Sequence, residues 1–270
     1  MMNCDVAAAM PKAAQKSADL APSRVNVICM KWGTKYGPEY VNRLYRGVSR
    51  HLARPHRFVC FTDDAAGIDP SVESRPLPDL GLPPSPERGW FKLATFRPEL
   101  SDLTGPTLFL DLDLVIVASL DVFFELPGRF YIMRDFKRPG SKVGNSSVYR
   151  FEVGDLPQIL SNFVADFEGV RRRHRNEQEY LTQAAEDLGV LAYWPPDLAV
   201  SYKKRCVPPF PLNFWKAPTC PADTRIVVFH GRPKPEEAAI GTGNKWYRHA
   251  LAAPWIGDAW YAGEDSSGPG

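Results

Sequence analysis

Apolar positions along this chain follow two rhythms: short unbroken runs, and stretches spaced three and four residues apart. Residues 24–30 make the first run, with Val25, Val27, Ile28, Cys29 and Met30 barely interrupted by polar residues. Such a run predicts a strand buried on both faces. Residues 31–38 follow as a loop with two glycines and a proline. Val41, Leu44, Tyr45, Val48 and Leu52 then fall on one helical face. Pro38 suits the first turn of that helix, and Pro55 ends it. His56–Thr62 predicts a second strand, closed by Asp63 and Asp64. A strand–loop–helix–strand unit implies parallel pairing through a right-handed crossover. In open sheets of this kind ligands gather beyond the carboxyl ends of the strands. The loop at 31–37 lies at that edge.

The pattern continues in the same style. Residues 70–89 are dense in proline and predict an irregular connector. Residues 90–100 predict a short helix with Trp90, Leu93, Ala94 and Phe96 inward. Thr107–Leu110 is a buried strand that runs directly into Asp111 and Asp113, and Val115–Val117 begins another. Residues 130–133 and 146–151 are further strands. Residues 156–170 read as one amphipathic helix and 176–188 as a second. Residues 190–194 and 225–229 are late strands. Residues 1–23, rich in Ala, Ser and Lys without a persistent apolar face, predict a disordered lead, and 263–270 a flexible tail. The expected fold is therefore a single α/β domain over 24–262, with a central, mostly parallel sheet flanked by helices.

Composition narrows the function. The chain has 270 residues, 44% hydrophobic and 24% charged, as a globular domain should. A formal net charge of +2 gives no reason to expect a nucleic-acid partner. The basic run Arg171–Arg175 predicts a solvated helix end; a phosphate or acidic-lipid contact is the alternative. The five cysteines are odd in number and not closely paired, so no disulfide framework or zinc knuckle is expected. Cys29 and Cys60 should be buried small apolar groups. The longest apolar stretch, 107–124, is broken by Asp111, Asp113 and Asp121, which would be costly in lipid. With no secretory signal pattern, these features predict a cytoplasmic protein, at most peripheral to the inner membrane.

The sharpest chemical signal is the aspartate pair. Two carboxylates one residue apart, at the end of a buried strand, would repel each other unless a cation neutralises them. Mg²⁺ or Mn²⁺ takes one or two carboxylates together with substrate phosphates. Two surface carboxylates capping a turn are the plainer alternative.

The stretch Leu108–Val115 resembles the DxD region of GT-A-fold glycosyltransferases, and most of all the retaining family-eight type that includes bacterial lipopolysaccharide galactosyltransferases and glycogenin. Other stretches resemble that group in order. Trp90–Leu93 is similar to a helix whose basic residue, here Lys92, touches the donor. Gly144–Val148 is similar to the stretch that lines the sugar site, which implies Asn145 and Ser146. Glu177–Glu179 is similar to an Asp-Gln-Asp stretch beside the reacting carbon, which implies Glu177 and Gln178. Phe229–Pro235 is similar to a late motif whose His binds metal and whose Lys binds phosphate, which implies His230 and Lys234. In that frame Lys31, Trp32, Gly33, Thr34, Tyr36 and Asp63 face the nucleotide. Three departures stand out, the first being that Glu177 replaces an aspartate. Lys31 and Trp32 occupy the place of an acidic residue, and His230 and Lys234 are closer together than in the group.

The resemblance implies transfer of a hexose from a nucleotide-diphosphate sugar to a hydroxyl of a saccharide or lipid-linked acceptor, with retained configuration. Asp111, Asp113 and His230 would hold Mn²⁺ or Mg²⁺, the imidazole favouring Mn²⁺. Gln178, Glu177 and Lys234 would serve the reaction itself. Residues 194–222, rich in proline and carrying Phe210, Phe214 and Trp215, are the expected acceptor wall. Two other readings compete. A haloacid-dehalogenase-type phosphatase also carries Asp-x-Asp after a strand, but near its N-terminus. A non-catalytic protein that binds a sugar nucleotide or a partner would show the donor site without turnover.

Overall fold

The structure is a computed structural model that describes residues 24–80, 82, 89–136, 140, 142–242 and 249–264. The expected lead at 1–23 and the tail from 265 onward lie outside these residues.

The first unit forms as its pattern predicts. Strand β1 (Val25–Lys31) is buried at every position. Its side chains alternate between two cores, with Val25, Val27 and Cys29 on one face and Ile28 and Met30 on the other. Helix α1 (Pro38–His51) places Tyr40, Val41, Leu44 and Val48 on the first of these cores. Strand β2 (His56–Thr62) returns parallel to β1, with Cys29 opposite Cys60. Both cysteines are fully buried and free.

The proline-dense connector holds a short strand that its composition hid, β3 (Glu73–Pro76), parallel to β2 at the sheet edge. Three of its four residues are polar or charged, and Glu73 is fixed by Arg57 on β2 at 2.5 Å. Trp90–Phe96 coils as a 3₁₀ turn, shorter than the expected helix, and all its residues except Phe91 are buried. Strand β4 (Pro106–Leu110) pairs parallel to β1.

The chain then changes sheets. Strand β5 (Leu114–Ile116) leaves the main sheet and joins a second one. Strands β6 (Phe130–Arg134) and β7 (Gly144–Glu152) return to the main sheet, where β7 runs antiparallel to both β4 and β6. The region read as one helix over 156–170 is two, α2 (Pro157–Ala165) and α3 (Phe167–Arg173). They break at Asp166, whose φ of −134° and ψ of 48° leave the helical region. Its short carboxylate pairs with Arg173, and Asp favours such helix ends over interiors. The side chains Arg171, Arg172, Arg173 and Arg175 are exposed, as a solvated end requires.

Helix α4 (Glu177–Asp187) is capped by Asn176, whose side chain accepts from the Glu179 amide. Strand β8 (Leu191–Tyr193) pairs parallel to β6. The second sheet is completed by β9 (Ala199–Ser201) and β10 (Ile226–Val228) in the order β5-β10-β9. Helices α5 (Pro235–Ile240) and α6 (Pro254–Trp260) pack against each other behind it. The main sheet has the order β3-β2-β1-β4-β7-β6-β8. Its two faces carry separate cores, one shared with α1 and the small sheet, the other with the 3₁₀ turn, α2 and α4. The fold is α/β, mostly parallel, and flanked by helices.

Candidate functional site

Strands β1, β2 and β4 run parallel, so their carboxyl ends share one edge of the sheet. That edge carries Lys31 to Gly37, Asp63 and Asp64, and Asp111 to Asp113. The aspartate pair has a special position there. Asp111, Leu112 and Asp113 are the whole link between β4 in the large sheet and β5 in the small one. Leu112 is buried in the core. The Asp111 amide donates to Ser147 O on β7 at 2.9 Å, and Asp113 O accepts from Phe229 N beyond β10 at 3.1 Å. Each carboxylate is thus anchored by backbone to a different sheet.

Each carboxylate also has its own lysine. Lys92 Nζ lies 2.7 Å from Asp111 Oδ1. Lys234 Nζ lies 2.5 Å from Asp113 Oδ2. Tyr36 OH donates to the same Asp113 oxygen at 2.7 Å and accepts from Lys234 Nζ at 2.6 Å. Burial first, then the Asp113 carboxylate, push the Tyr36 hydroxyl well above its ordinary value, so it stays a donor. Lys92 is buried and also donates to Ser146 O and Oγ at 3.2 and 3.3 Å. Burial alone would pull its ammonium down. Asp111, then Glu177 and Asp113, more than reverse this and hold it above the ordinary lysine value.

The network continues into α4. Ser146 Oγ donates to Glu177 Oε1 at 2.7 Å, and Glu177 is buried. Gly89, at φ +89°, lets the chain pass this carboxylate: an added Cβ would stand 3.1 Å from its carbon. Asn145 Nδ2 approaches Gln178 Oε1 at 3.5 Å. Residues far apart in sequence are therefore joined: Lys92, Asp111, Ser146 and Glu177 in one cluster, Tyr36, Asp113 and Lys234 in another, with Asn145 and Gln178 beside the first.

The remaining expected residues spread along the same edge. Trp32 is half-buried, its ring 5.9 Å from Phe91. Gly33, at φ +61°, donates its amide to Asp63 Oδ2 at 2.9 Å, so Asp63 closes the loop. Thr34 is exposed. Lys31 is buried, with Nζ 3.0 Å from Asp64 O, so its ammonium holds the β2 loop. His230 directly follows Phe229, next to the backbone bond to Asp113. Its ring faces Phe136 at 4.3 Å, and Nδ1 lies 3.5 Å from Ser201 Oγ. Lys203 Nζ donates to His230 O at 2.7 Å, a cation at this edge that sequence reading missed. Its signal was a basic run directly after a short strand. Phe136 and Ser201 were missed too, for want of any motif.

Among the described residues no three His, Cys, Asp or Glu side chains converge to hold a metal. Asp111 and Asp113 still offer oxygen donors of the kind a hard divalent ion takes. Asp111 and Asp113 present carboxylates from a three-residue link, the Asp111 side chain is 24% exposed, and His230 adjoins them through the Phe229–Asp113 bond. The two lysines supply the positive charge that such a pair demands.

The fold is similar to that of solved glycosyltransferase structures. The galactosyltransferase LgtC, in complex with donor and acceptor sugar analogs, superposes with a TM-score of 0.52 over 78% of this chain and 88% of that one, at 14% identity. An active-site glutamine-to-glutamate mutant of LgtC gives the same score. The glycosyltransferase GlyE of Streptococcus pneumoniae TIGR4 superposes at 0.57 over 87% of this chain, at 13% identity. This chain spans 59% of GlyE.

The chain has the GT-A glycosyltransferase fold.

No protein-family model and no curated protein sequence matches it. Within this GT-A fold, the Asp111–Asp113 link, the lysine pair and the Asn145–Gln178 contact lie together at the carboxyl edge of the sheet. No helix among the described residues is long and apolar enough to cross a membrane.

Proposed function

We propose that the chain is a glycosyltransferase that moves a hexose from a nucleotide-diphosphate sugar to a hydroxyl acceptor. The observation that carries this is the site at the sheet edge: two carboxylates on the link between two sheets, each met by a lysine, inside a fold shared with LgtC and GlyE.

Asp111, Asp113 and His230 are the residues that would hold Mn²⁺ or Mg²⁺, and such an ion supplies Lewis-acid stabilisation of negative charge on the leaving pyrophosphate. Lys234 is the mobile cation of the site. On its long stem it can turn from Asp113 to donor phosphate oxygens and stabilise charge as the glycosidic bond breaks. Lys92 is buried too deeply to move in this way; it fixes Asp111 and, through Ser146, the start of α4. Tyr36 keeps its proton and orients Asp113. Trp32, on the neighbouring loop, offers an aromatic face to the nucleotide, and the Gly33–Asp63 bond holds that loop in place.

Retained configuration is what the family-eight resemblance implies, and α4 bears on the route. Glu177 is buried against Ser146, so its carboxylate is not offered as a nucleophile. Gln178 carries an amide, which orients and does not form a glycosyl ester. This supports retention by a front-face route, in which the leaving phosphate takes the acceptor proton and Gln178 and Asn145 bind the sugar.

Isothermal calorimetry tests the reading. UDP-, GDP- and TDP-sugars are titrated with and without Mn²⁺ into wild type and Asp113→Asn. Metal-dependent binding of one donor, lost in the variant, is expected. Absence of binding to all three with metal present would sink the reading.

A further inference from the structure

The segment between β9 and β10 carries an unusual combination. From residue 202 to residue 222 there are four cationic side chains, Lys203, Lys204, Arg205 and Lys216, and no Asp or Glu. Arg205 is paired with Asp197, and Lys203 is tied to His230 O. Lys204 and Lys216 are exposed, and no ion pair engages them among the described residues. The same segment holds the most exposed aromatic side chains of the described chain, Phe210 at 65% and Trp215 at 73%, with Leu212 at 42%.

These apolar groups are held out by a framed backbone. Phe214, between them, stacks on His249 at 4.8 Å and 10° and touches the Phe210 and Trp215 rings at 6.1 and 6.0 Å. Asn213 is buried and donates to His249 O at 2.7 Å. Trp255 Nε1 donates to Pro218 O at 2.9 Å, and Thr219 N to Cys206 O at 3.1 Å. The frame leaves Phe210, Leu212 and Trp215 in water, at a standing hydrophobic cost.

A covering partner must therefore be apolar and anionic. A sugar platform would pair its aromatic face with polar side chains able to bind hydroxyls. Here the one amide of the segment, Asn213, is buried and donates its Nδ2 to His249 O, and among the described residues of the segment the exposed charged groups outside any ion pair are Lys204 and Lys216. An interfacial bilayer contact has the required chemistry: amphipathic rings at headgroup depth and lysines on anionic headgroups. We propose that residues 204–216 form a membrane-docking ledge, with Phe210 and Trp215 seated in the headgroup layer of an anionic bilayer and Lys204 and Lys216 on its phosphates. The ledge starts beside Lys203, whose ammonium touches His230 O, so docking brings the mouth of the sheet-edge site to the lipid surface. The contact lies on the membrane and does not span it.

The test is sedimentation of the full chain with phosphatidylcholine vesicles, with and without phosphatidylglycerol. It is run in chelator and without donor, so its outcome is separate from glycosyl transfer. The wild type is expected to bind the anionic vesicles, and added salt to weaken that binding. Each of Lys204→Gln and Lys216→Gln should weaken it about fivefold, the value of one juxtamembrane cation. Phe210→Ser with Trp215→Ser should abolish it with an unchanged thermal melt. Brominated lipid should quench wild-type fluorescence more than that of Trp215→Phe. No binding to anionic vesicles, or equal binding by the variants, overturns the proposal. So does loss of soluble-oligosaccharide binding in the serine variant with vesicle binding intact, which would make the ledge a sugar platform.

Discussion

Lys92→Met is the most informative single change at the site. Methionine keeps most of the side-chain length and removes only the ammonium. It deletes the 2.7 Å ion pair with Asp111 and the two bonds to Ser146, and removes the Lys92 charge that Glu177 interacts with. Removing one partner of a buried pair costs roughly 3–5 kcal/mol, because the other charge is stranded. The Asp111 side chain is 24% exposed, so water takes up part of that charge. The loss should therefore sit near the low end, about 3 kcal/mol. For a domain of this size that is a fall in Tm of about 6–12 °C. The assay is a thermal melt in chelator, joined to urea unfolding. Adding Asp111→Asn removes the stranded charge and should recover about 1–2 kcal/mol. The wild-type pH profile has a determined sign. Lys92 is held above its ordinary value, so its contribution is complete below the ordinary lysine range and disappears as pH rises through its folded value. A loss under about 1 kcal/mol in Lys92→Met, or no recovery in the double variant, would refute the argument that this pair is a buried, stabilising counter-charge.

Three further outcomes follow from the geometry. Gly89→Ala should cost about 1–2 kcal/mol from its left-handed backbone alone, with more from crowding Glu177, measured by urea unfolding. Lys234→Met should lower kcat at least as much as kcat/KM, and Lys234→Arg should recover part of it, in a steady-state assay with the donor that calorimetry selects. For Asp121, burial pushes the carboxyl up, but Ser119, the Ala53 and Arg54 amides and the Arg54 charge outweigh it and hold the group below the ordinary carboxylate value. A depressed group stabilises above its unfolded value and loses that effect as pH falls through the folded one. Asp121→Asn should therefore destabilise at neutral pH and flatten the acid limb of a Tm-versus-pH curve.

The first unit was readable because its two periods do not overlap: an unbroken run for β1, then a face at helical spacing for α1. β3 escaped because Glu73, Ser74, Arg75 and Pro76 are typical of a connector, and only the backbone of β2 and the Arg57 pair make them a strand. β9 has three residues, too few for any period, and draws its order from β10. The split at Asp166 is a local preference for capping that a fifteen-residue amphipathic pattern concealed. At the site, the aspartate pair could be seen because two carboxylates after an apolar run are anomalous. The resemblance named Lys92 and Lys234 as donor contacts, but not as the partners of that pair. Lys92 and Lys234 lie 142 positions apart by number, and their convergence depends on where β4, β5 and β10 meet. Phe136 carries no motif, and the basic run that holds Lys203 does not say which of its cations reaches His230 O; both meet His230 through folding.

The two lysines also explain how the site can exist before any ligand arrives. A pair of carboxylates on a link between two sheets would repel each other, and the Asp111–Ser147 and Asp113–Phe229 backbone bonds hold the link that carries them in place. Lys92 and Lys234 neutralise them, but unequally. Lys92 is boxed in by Ser146, Phe109 and the 3₁₀ turn, so it stays on Asp111 Oδ1. Lys234 comes from the loop that opens α5, and its ammonium rests on Asp113 and on the Tyr36 ring at 4.6 Å. It is the member free to exchange partners. A phosphate-bearing ligand that draws Lys234 away leaves Asp113 with the Tyr36 hydroxyl but without its counter-charge, and such a carboxylate near Asp111 is what a divalent ion requires. On this argument donor and metal bind together or poorly, and mixed titrations should show each tightening the other, with the coupling lost in Lys234→Met.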